Sequence, residues 1–484
     1  MKYLGIWDFI WLPIYLLLIH YLAGRTQRKN EELNPSYKYY KRGFLAKVYG
    51  GLAFVFIYIF YYDGGDTIVY WQDAVGLNSL IFSEPSCYLR ILLGDGDSKW
   101  YWCFDHRENL PFHYLRDPQA YAVARFSSLF ALFSVDSLIG CTILVSWVSF
   151  GGVWRLYQVF CEEYPRMNKE LAISFLFIPS VVFWGSGIMK DTFTFTAACW
   201  MTSSVYGLLL KRRDIFWNSV YVLFSSYVMI SMKPYIFVAL LPGVFIWVIF
   251  NRIQRIENQI IRVMTAPILL MVGLVGAAGV FSQASSSLGS YGSIDSIMET
   301  AVATQEDLKR EAYKGNTFDI GTIDPSAMGM LSKAPVAIFA SLFRPSLLDV
   351  KNPLMLISAL ENTVLMFFLL YMLFKIGPLA FIRYVASKPM ILFSFSFAMI
   401  FSFAVGLTTS NFGSLVRYKI PALPFFLASL YMIRYSQELK RRGESDEDDQ
   451  LEEVKVLTEK DFEKKRDPRP PFIPKPYGPA GEYK

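Results

Sequence analysis

Runs of apolar residues, each close to the length of a bilayer span, recur along most of the chain and alternate with polar stretches. A helix needs about 20 such residues to cross the hydrocarbon core of a membrane. The pattern predicts an all-α polytopic membrane protein with about eleven transmembrane helices. We expect these at residues 5–23, 46–62, 137–158, 170–187, 192–210, 215–232, 235–250, 263–281, 353–374, 389–408 and 420–435.

Composition strengthens this prediction. Of the 484 residues, 54% are hydrophobic and only 18% are charged, whereas soluble domains carry about 25% charged residues. After residue 435 the chain becomes charged and then rich in proline. We therefore expect a transmembrane domain over 1–435 and a mostly disordered tail over 436–484. The tail is either a tether for an envelope-assembly partner or a plain solvated appendage.

Basic residues in the short loops predict the orientation, because cationic loops stay in the cytoplasm. They occur in loops 24–45, 211–214 and 251–262, at Arg383 and Lys388, and at 440–442. Eleven helices place all of these on one side if the N-terminus is outside and the C-terminus is cytoplasmic. The two long polar segments, 63–136 and 282–352, then both lie at the outer face. Met1-Lys2 leads directly into a helix, so no removable signal peptide is expected.

An acidic pair follows the second predicted helix. Asp63 and Asp66 are separated by two glycines, which allow a sharp turn or a close approach to a ligand. Tyr70 and Trp71 come next and suit either a membrane interface or the face of a sugar. The alternative is an ordinary solvated turn at a helix end.

Further ionisable residues lie at the expected outer ends of helices, where charge near a bilayer is costly and therefore informative. Arg125 either snorkels to headgroups or binds phosphate, and Lys190 with Asp191 forms either an anion site at a helix start or a simple cap. Glu361 lies two turns inside a predicted helix. The complete set of predicted substrate-binding residues is Arg125, Lys190, Asp191, Lys233, Arg344, Glu361, Arg417, Tyr70 and Trp71.

Cations at headgroup level suit a lipid-linked phosphate. A neighbouring carboxylate suits a general base or the stabilisation of an oxocarbenium ion. Glycosyl transfer from a polyprenyl-phosphate carrier requires both groups. A transporter would instead place ionisable groups near the midplane, in helices of two repeats, and no repeat is visible.

The chain also resembles integral-membrane glycosyltransferases of the GT-C class. The similarity rests on the acidic motif of Asp63 and Asp66 in the first large outer loop and on Arg417-Tyr418 followed by Pro421 and Pro424. The tracts 180–191 and 344–362 are similar to bacterial membrane proteins of exopolysaccharide and O-antigen gene clusters. The number of helices and the outer-face arginines Arg344 and Arg417 also resemble those of O-antigen polymerases. The acidic motif follows the second helix, whereas the class usually has it after the first.

The resemblance implies a lipid-phosphate sugar donor, a catalytic residue at Asp63 or Asp66, and a divalent cation at this pair in some relatives. We expect a glycosyltransferase or polysaccharide polymerase in the bacterial inner membrane, with a lipid-linked saccharide as substrate and no nucleic-acid partner. The alternatives are a transporter or flippase of lipid-linked saccharide and a non-catalytic subunit of a cell-envelope complex.

The chain contains five cysteines. Cys141, Cys161 and Cys199 fall in or beside predicted helices and are expected to be packing residues. Cys87 and Cys103 share the first outer segment and are either bonded, as an oxidising periplasm favours, or free. A zinc site with His106 and His113 has suitable ligand types but no usual spacing.

Overall fold

The structure is a computed structural model. It describes residues 2–94, 103, 113–114, 117–254, 279, 282–283, 285, 288–308, 317–321, 324 and 326–443. Within these ranges the fold is all-helical and contains no β-strand, the only extended pairing being an isolated bridge between Thr317 and Asn411. The chain divides into two compact units, Met1–Ser436 and Gln437–Lys484.

Twenty α-helices are described. The first twelve are α1 (Ile6–Asn30), α2 (Tyr40–Phe60), α3 (Asp66–Asn78), α4 (Leu80–Ser83), α5 (Pro85–Leu92), α6 (Pro118–Phe133), α7 (Leu138–Glu163), α8 (Asn168–Leu176), α9 (Pro179–Trp184), α10 (Lys190–Val205), α11 (Ile215–Met232) and α12 (Pro234–Gln254). The remainder are α13 (Ile294–Leu308), α14 (Ala327–Ser332), α15 (Ala334–Phe343), α16 (Pro353–Ile376), α17 (Pro378–Val385), α18 (Pro389–Thr408), α19 (Phe412–Tyr418) and α20 (Ala422–Arg442). A 3₁₀ turn, Pro35–Tyr39, leads into α2, and a π-helical turn, Tyr206–Leu210, continues α10.

Eight helical segments of the described chain are long and apolar enough to cross a membrane, as expected for a polytopic membrane protein. They are Ile6–Asn30, Pro35–Phe60, Leu138–Glu163, Lys190–Leu210, Ile215–Met232, Pro234–Gln254, Pro353–Ile376 and Pro389–Thr408. These correspond to eight of the eleven predicted helices. The predicted helix at 263–281 falls almost entirely outside the described residues, and the one at 420–435 is the first part of α20.

The predicted continuous helix at 170–187 is wrong. The structure has two short helices there, α8 and α9, separated by Phe177 and Ile178. Ile178 is extended, with φ −65° and ψ 120°. The residue before a proline is sterically disfavoured in the helical region, so Pro179 ends one helix and starts the next.

The helix ends form two sets, which we call the Asp66 end and the Lys211 end. At the Asp66 end, Ser137 Oγ and the Ile139 amide both donate to Asp8 Oδ1 at 2.8 Å, which joins the starts of α1 and α7. At the Lys211 end, Lys211 Nζ lies 3.0 Å from Glu163 Oε1. These contacts fix which helix ends lie side by side.

The same end gathers several of the loops predicted to be cytoplasmic. Gln254 Nε2 donates to the Ser387 carbonyl at 2.9 Å. Arg252 Nη2 donates to the Leu209 carbonyl at 3.2 Å. The ammonium of Lys388 lies 5.4 Å from the ring centroid of Tyr164. The basic regions near residues 211, 252 and 388 therefore lie together at the Lys211 end.

Small residues allow α2 to pack closely on the segment that precedes α10. A Cβ at Gly50 would lie 2.4 Å from the Val182 carbonyl oxygen, and one at Gly51 would lie 2.2 Å from Ser146 Oγ. Ser146 Oγ donates to the Ser186 carbonyl at 2.7 Å in the same place. Close backbone approach at small residues is the usual way in which membrane helices associate.

The segment predicted to be the first outer one folds over the Asp66 end as α3 to α6, with α3 packed against α6. Cys87 and Cys103 form a disulfide in this layer, which resolves the alternative that the sequence left open. The other three cysteines are buried and are not part of a disulfide, as predicted for packing residues.

Candidate functional site

Asp66 begins α3 at the point where the chain turns away from α2. Gly64 and Gly65 make this turn with φ angles of 142° and 111°, which residues with a side chain rarely adopt. Asp66 Oδ1 accepts a hydrogen bond from Tyr114 Oη at 3.0 Å, and Oδ2 accepts one from Arg417 Nη2 at 3.2 Å. The side chain of Asp66 remains 37% exposed.

Asp191 is the second residue of α10 and is almost completely buried. Lys233, between α11 and α12, donates from Nζ to Asp191 Oδ1 at 2.5 Å. Arg417 Nη2 lies 3.5 Å from Asp191 Oδ2. Arg417 therefore lies between two carboxylates, one buried and one open to solvent.

We call Asp66, Asp191, Lys233 and Arg417 the charge cluster. Its members come from four separate parts of the chain, and its two carboxylates balance its two cations. Burial lowers the pKa of Arg417, but Asp191 and the other neighbouring acidic groups outweigh it, so the pKa lies above its ordinary value. Buried charges are tolerated when they are paired in this way.

Aromatic rings and a further cation surround the charge cluster. The Lys233 ammonium lies 4.1 Å from the ring centroid of Tyr418, and the Arg417 guanidinium lies 5.9 Å from that of Trp184. Lys190, the first residue of α10, interacts electrostatically with the cluster, and its Nζ lies 3.7 Å from Asp117 Oδ2. The rim therefore carries a cation that is not committed to the buried pairs.

Within the described residues, three buried polar atoms at the cluster have no hydrogen-bond partner, Arg417 Nε, Thr192 Oγ1 and Asp191 Oδ2. Such atoms are rare in folded proteins and each requires an explanation. A polar ligand at the cluster would accept a hydrogen bond from Arg417 Nε and form another with Thr192 Oγ1. The chemistry of this donor set, with guanidinium, ammonium and hydroxyl groups, suits an anion.

Asp63 does not join the charge cluster, although it is only three residues from Asp66. Its side chain is 75% exposed, and its carboxylate lies 3.6 Å from Lys2 Nζ. Its carbonyl accepts from Tyr3 Oη at 3.1 Å. The structure thus separates the two acidic residues that the sequence could not distinguish.

Arg344 is also held away from the charge cluster by local partners. Its Nη2 and Nε donate to the two oxygens of Asp349 at 2.7 and 3.2 Å. The guanidinium lies 5.2 and 5.1 Å from the ring centroids of Phe318 and Phe412. Burial alone would raise the pKa of Asp349, but hydrogen bonds from Arg344 and Ser346 lower it to about 2.

Glu361 caps the broken helix. Its two carboxylate oxygens accept from the Ser180 amide at 2.8 Å and the Ser180 hydroxyl at 2.6 Å, at the start of α9. The next residue, Asn362, accepts from Lys419 Nζ at 2.5 Å. The Glu361 carboxylate is therefore bound to another helix in this structure.

The remaining predicted residues occupy packing positions. Tyr70 is 4% exposed and its ring lies 4.9 Å from that of Tyr114, so it offers no free face to a sugar. Trp71 is half-buried and donates to the Asp136 carbonyl. Arg125 is 9% exposed and donates to the Pro118 carbonyl, so the snorkelling interpretation is wrong.

Sequence reasoning missed four buried charged residues of the described chain, Asp8, Lys47, Asp73 and Lys419. Lys419 is fully buried and also donates to the Arg344 carbonyl at 3.0 Å. Lys47, inside α2, donates to the Gly185 carbonyl. Asp73 accepts from the Tyr114 amide at 3.0 Å and so fixes the residue that contacts Asp66. A charge inside an apolar run was the available signal for Lys47.

Within the described residues, no group of three or more His, Cys, Asp or Glu side chains is arranged to hold a metal ion. The divalent cation implied at Asp63 and Asp66 has no support in the geometry, because the first carboxylate faces Lys2 and the second faces Arg417. For the suggested zinc site, His106 lies outside the described residues. His113 Nδ1 lies 3.4 Å from Asp73 Oδ1.

Comparison with protein-family models, curated proteins and solved structures finds no match. The resemblance to GT-C glycosyltransferases and O-antigen polymerases therefore stays a prediction from short motifs.

Proposed function

We propose that the protein is a membrane glycosyltransferase or polysaccharide polymerase. It moves a sugar or saccharide from a polyprenyl-phosphate or polyprenyl-diphosphate carrier to an acceptor at the outer face of the bacterial inner membrane. The observation that carries this proposal is the charge cluster, in which Arg417 bridges an open carboxylate, Asp66, and a buried one, Asp191.

The cations of the cluster suit the phosphate of the carrier. Arg417 supplies a planar guanidinium that binds phosphate oxygens in pairs, and Lys233 and Lys190 supply compact charges beside it. Asp191 holds Lys233 and Arg417 in place before substrate arrives. Preorganised cations stabilise the charge that develops on a leaving phosphate.

Asp66 is the proposed catalytic carboxylate. Its side chain is more exposed than that of Asp191 (37% against 3%), and an acceptor hydroxyl can reach it without entering the core. It acts as a general base or stabilises positive charge on the sugar. Tyr114 orients it through the 3.0 Å hydrogen bond.

The test is surface-glycan analysis of a deletion strain of the source bacterium complemented with wild type, Asp66→Asn or Asp63→Asn. Asp63 is the matched control, because it lies in the same turn but contacts Lys2 rather than the cluster. We expect wild type and Asp63→Asn to restore full glycan. Asp66→Asn should give lost or short glycan and accumulated lipid-linked precursor at normal protein level. Normal glycan with Asp66→Asn would refute the assignment of the catalytic residue, and normal glycan in the deletion strain would refute the function.

Transport of a lipid-linked saccharide is the second candidate, and the broken helix favours it. Discontinuous helices with ionisable residues beside the break are a feature of transporters, and here Glu361 binds the start of α9. The two candidates differ in vesicles containing a labelled lipid-linked saccharide. A transporter moves the label across the bilayer without forming a new glycosidic bond, whereas a transferase forms the bond without requiring movement.

A further inference from the structure

A cavity lies at the Lys211 end, away from the charge cluster. It has a volume of about 610 Å³, within the usual range of pockets that bind small ligands. Its wall is formed by α7, α10 and the start of α11, and it adjoins the π-helical turn Tyr206–Leu210. Such turns are frequent at functional sites.

The lining combines cations with tryptophan. Trp154, Trp200 and Trp217 supply apolar surface, and Arg155 and Arg213 supply positive charge. Indole rings are enriched where a membrane meets water. The combination suits a ligand that is partly apolar and partly anionic.

Arg155 is the central residue of this cavity. It lies eight residues before the end of α7, or about 12 Å along the helix axis. Its guanidinium donates to Asn218 Oδ1 and lies 5.0 Å from the ring centroids of Trp200 and Tyr221. Among the described residues no carboxylate lies within ion-pair distance of it. An arginine inside a membrane segment is costly unless it faces a cavity or a partner.

The other charged groups of the lining do not supply that partner. Glu162 is held by Arg213, whose Nη2 lies 2.6 Å from Glu162 Oε2, and by Lys211 at 3.6 Å. Asp214 lies at the exposed rim, beyond ion-pair distance of Arg155. Asp214 therefore attracts Arg155 only at longer range, and the cavity contains one cation without an ion-pair partner among the described residues.

We propose that this cavity binds a phosphate ester, with the phosphate at Arg155 and an apolar portion against the tryptophans. This chemistry matches the headgroup of an anionic phospholipid, and cationic pockets between transmembrane helices recognise such headgroups. A soluble phosphate shares the anionic part of this chemistry but not the apolar part. The proposal does not depend on the function assigned to the charge cluster.

The test uses the purified full-length protein in detergent and measures binding and thermal stabilisation by dihexanoyl-phosphatidylglycerol. Inorganic phosphate and a phosphate-free alkyl glucoside are the comparison ligands. We expect binding of the lipid, weaker or no binding of inorganic phosphate, and no effect of the glucoside. Equal binding of inorganic phosphate would support the anion site and assign it to a soluble ligand.

Two variants locate the ligand. Arg155→Gln removes the cation, and we expect binding to weaken about tenfold, as for the loss of one hydrogen bond to a charged group. Gly151→Leu fills the cavity from its wall and should weaken binding while leaving Arg155 intact. Arg252→Gln, at the same end but outside the lining, is the matched control and should bind normally.

The proposal is overturned if wild type binds neither phosphate ligand or if the glucoside stabilises it equally. Unchanged binding in Gly151→Leu would also overturn it, and this result remains informative if Arg155→Gln fails to fold.

Discussion

Asp66 and Asp63 lie in one turn of the chain but have different environments. Asp63 is exposed beside Lys2, whereas Asp66 contacts Tyr114 and Arg417. The two positive-φ glycines between them reverse the chain, so only the second residue faces the charge cluster. Of the two acidic residues in this motif, only Asp66 therefore remains a candidate for the catalytic carboxylate.

The pairing of Lys233 with Asp191 makes a direct prediction about stability. Lys233→Met leaves a buried carboxylate with a weakened set of partners, and we expect it to destabilise the protein by about 3–5 kcal/mol, as for other broken buried pairs. Adding Asp191→Asn removes the stranded charge and should recover most of that loss. Thermal unfolding in detergent measures both.

Lys211→Met is the control for this experiment, since its side chain is 38% exposed and such ion pairs contribute at most about 1 kcal/mol. Strictly additive losses in the Lys233→Met, Asp191→Asn double variant would contradict the pairing.

At the level of helices, the close contact between α2 and the segment before α10 depends on glycine. In Gly51→Ala the new methyl group would meet Ser146 Oγ and disturb its bond to Ser186. We expect a loss of about 1–3 kcal/mol, typical of overpacking, measured by thermal unfolding. Gly24→Ala has no atom closer than 3.9 Å to its new Cβ and should be neutral or slightly stabilising. Equal stability of the two variants would show that α2 does not pack this closely.

The disulfide makes a second prediction at this level. Cys87 and Cys103 enclose a short loop, with a sequence separation of 16, and constraining such a loop stabilises a fold by about 3 kcal/mol. A reductant should lower the unfolding temperature of wild type but not that of the double variant Cys87→Ser, Cys103→Ser. Cys141→Ser, a free buried cysteine, should respond to reductant as wild type does. A reductant-insensitive wild type would argue against the bond.

Some of the helical architecture could be predicted from the sequence, and some could not. Hydrocarbon excludes polar groups, so the apolar pattern reveals where helices run and places Asp191, Lys233 and Arg417 near helix ends. The break at Pro179 could not be predicted, because a proline does not always end a helix. Pro13 and Pro242 both lie inside continuous helices. Arg417 and Asp66 are 351 residues apart in the sequence. Their contact could not be predicted, because the packing of one helix beside another produces no periodic pattern in the sequence.

For the whole molecule, the gathering of basic loops at the Lys211 end leads to a prediction of orientation. That end should face the cytoplasm and the Asp66 end should face outward. None of the five native cysteines offers an exposed thiol, because two are bonded and three are buried. Single cysteines introduced at exposed sites can therefore be labelled with little background.

Glu84 is exposed between α4 and α5, in the layer over the Asp66 end, and Leu33 is exposed after the end of α1 at the opposite end of the bundle. Each is replaced by cysteine, as Glu84→Cys or Leu33→Cys. In intact cells from which any outer barrier has been removed, a membrane-impermeant thiol reagent should label the first and not the second. Labelling of Leu33→Cys alone would reverse the proposed orientation and move the charge cluster to the cytoplasmic side.

We propose that the charge cluster binds a lipid-linked saccharide and promotes its transfer. The most direct measurement uses purified protein in vesicles containing the lipid-linked saccharide that accumulates in the deletion strain, and follows formation of a new glycosidic bond. We predict that wild type and Asp63→Asn form product at similar rates. Asp66→Asn should be slower by at least about a hundredfold, as for loss of a catalytic acid–base group. Equal rates for Asp66→Asn and wild type would contradict the account.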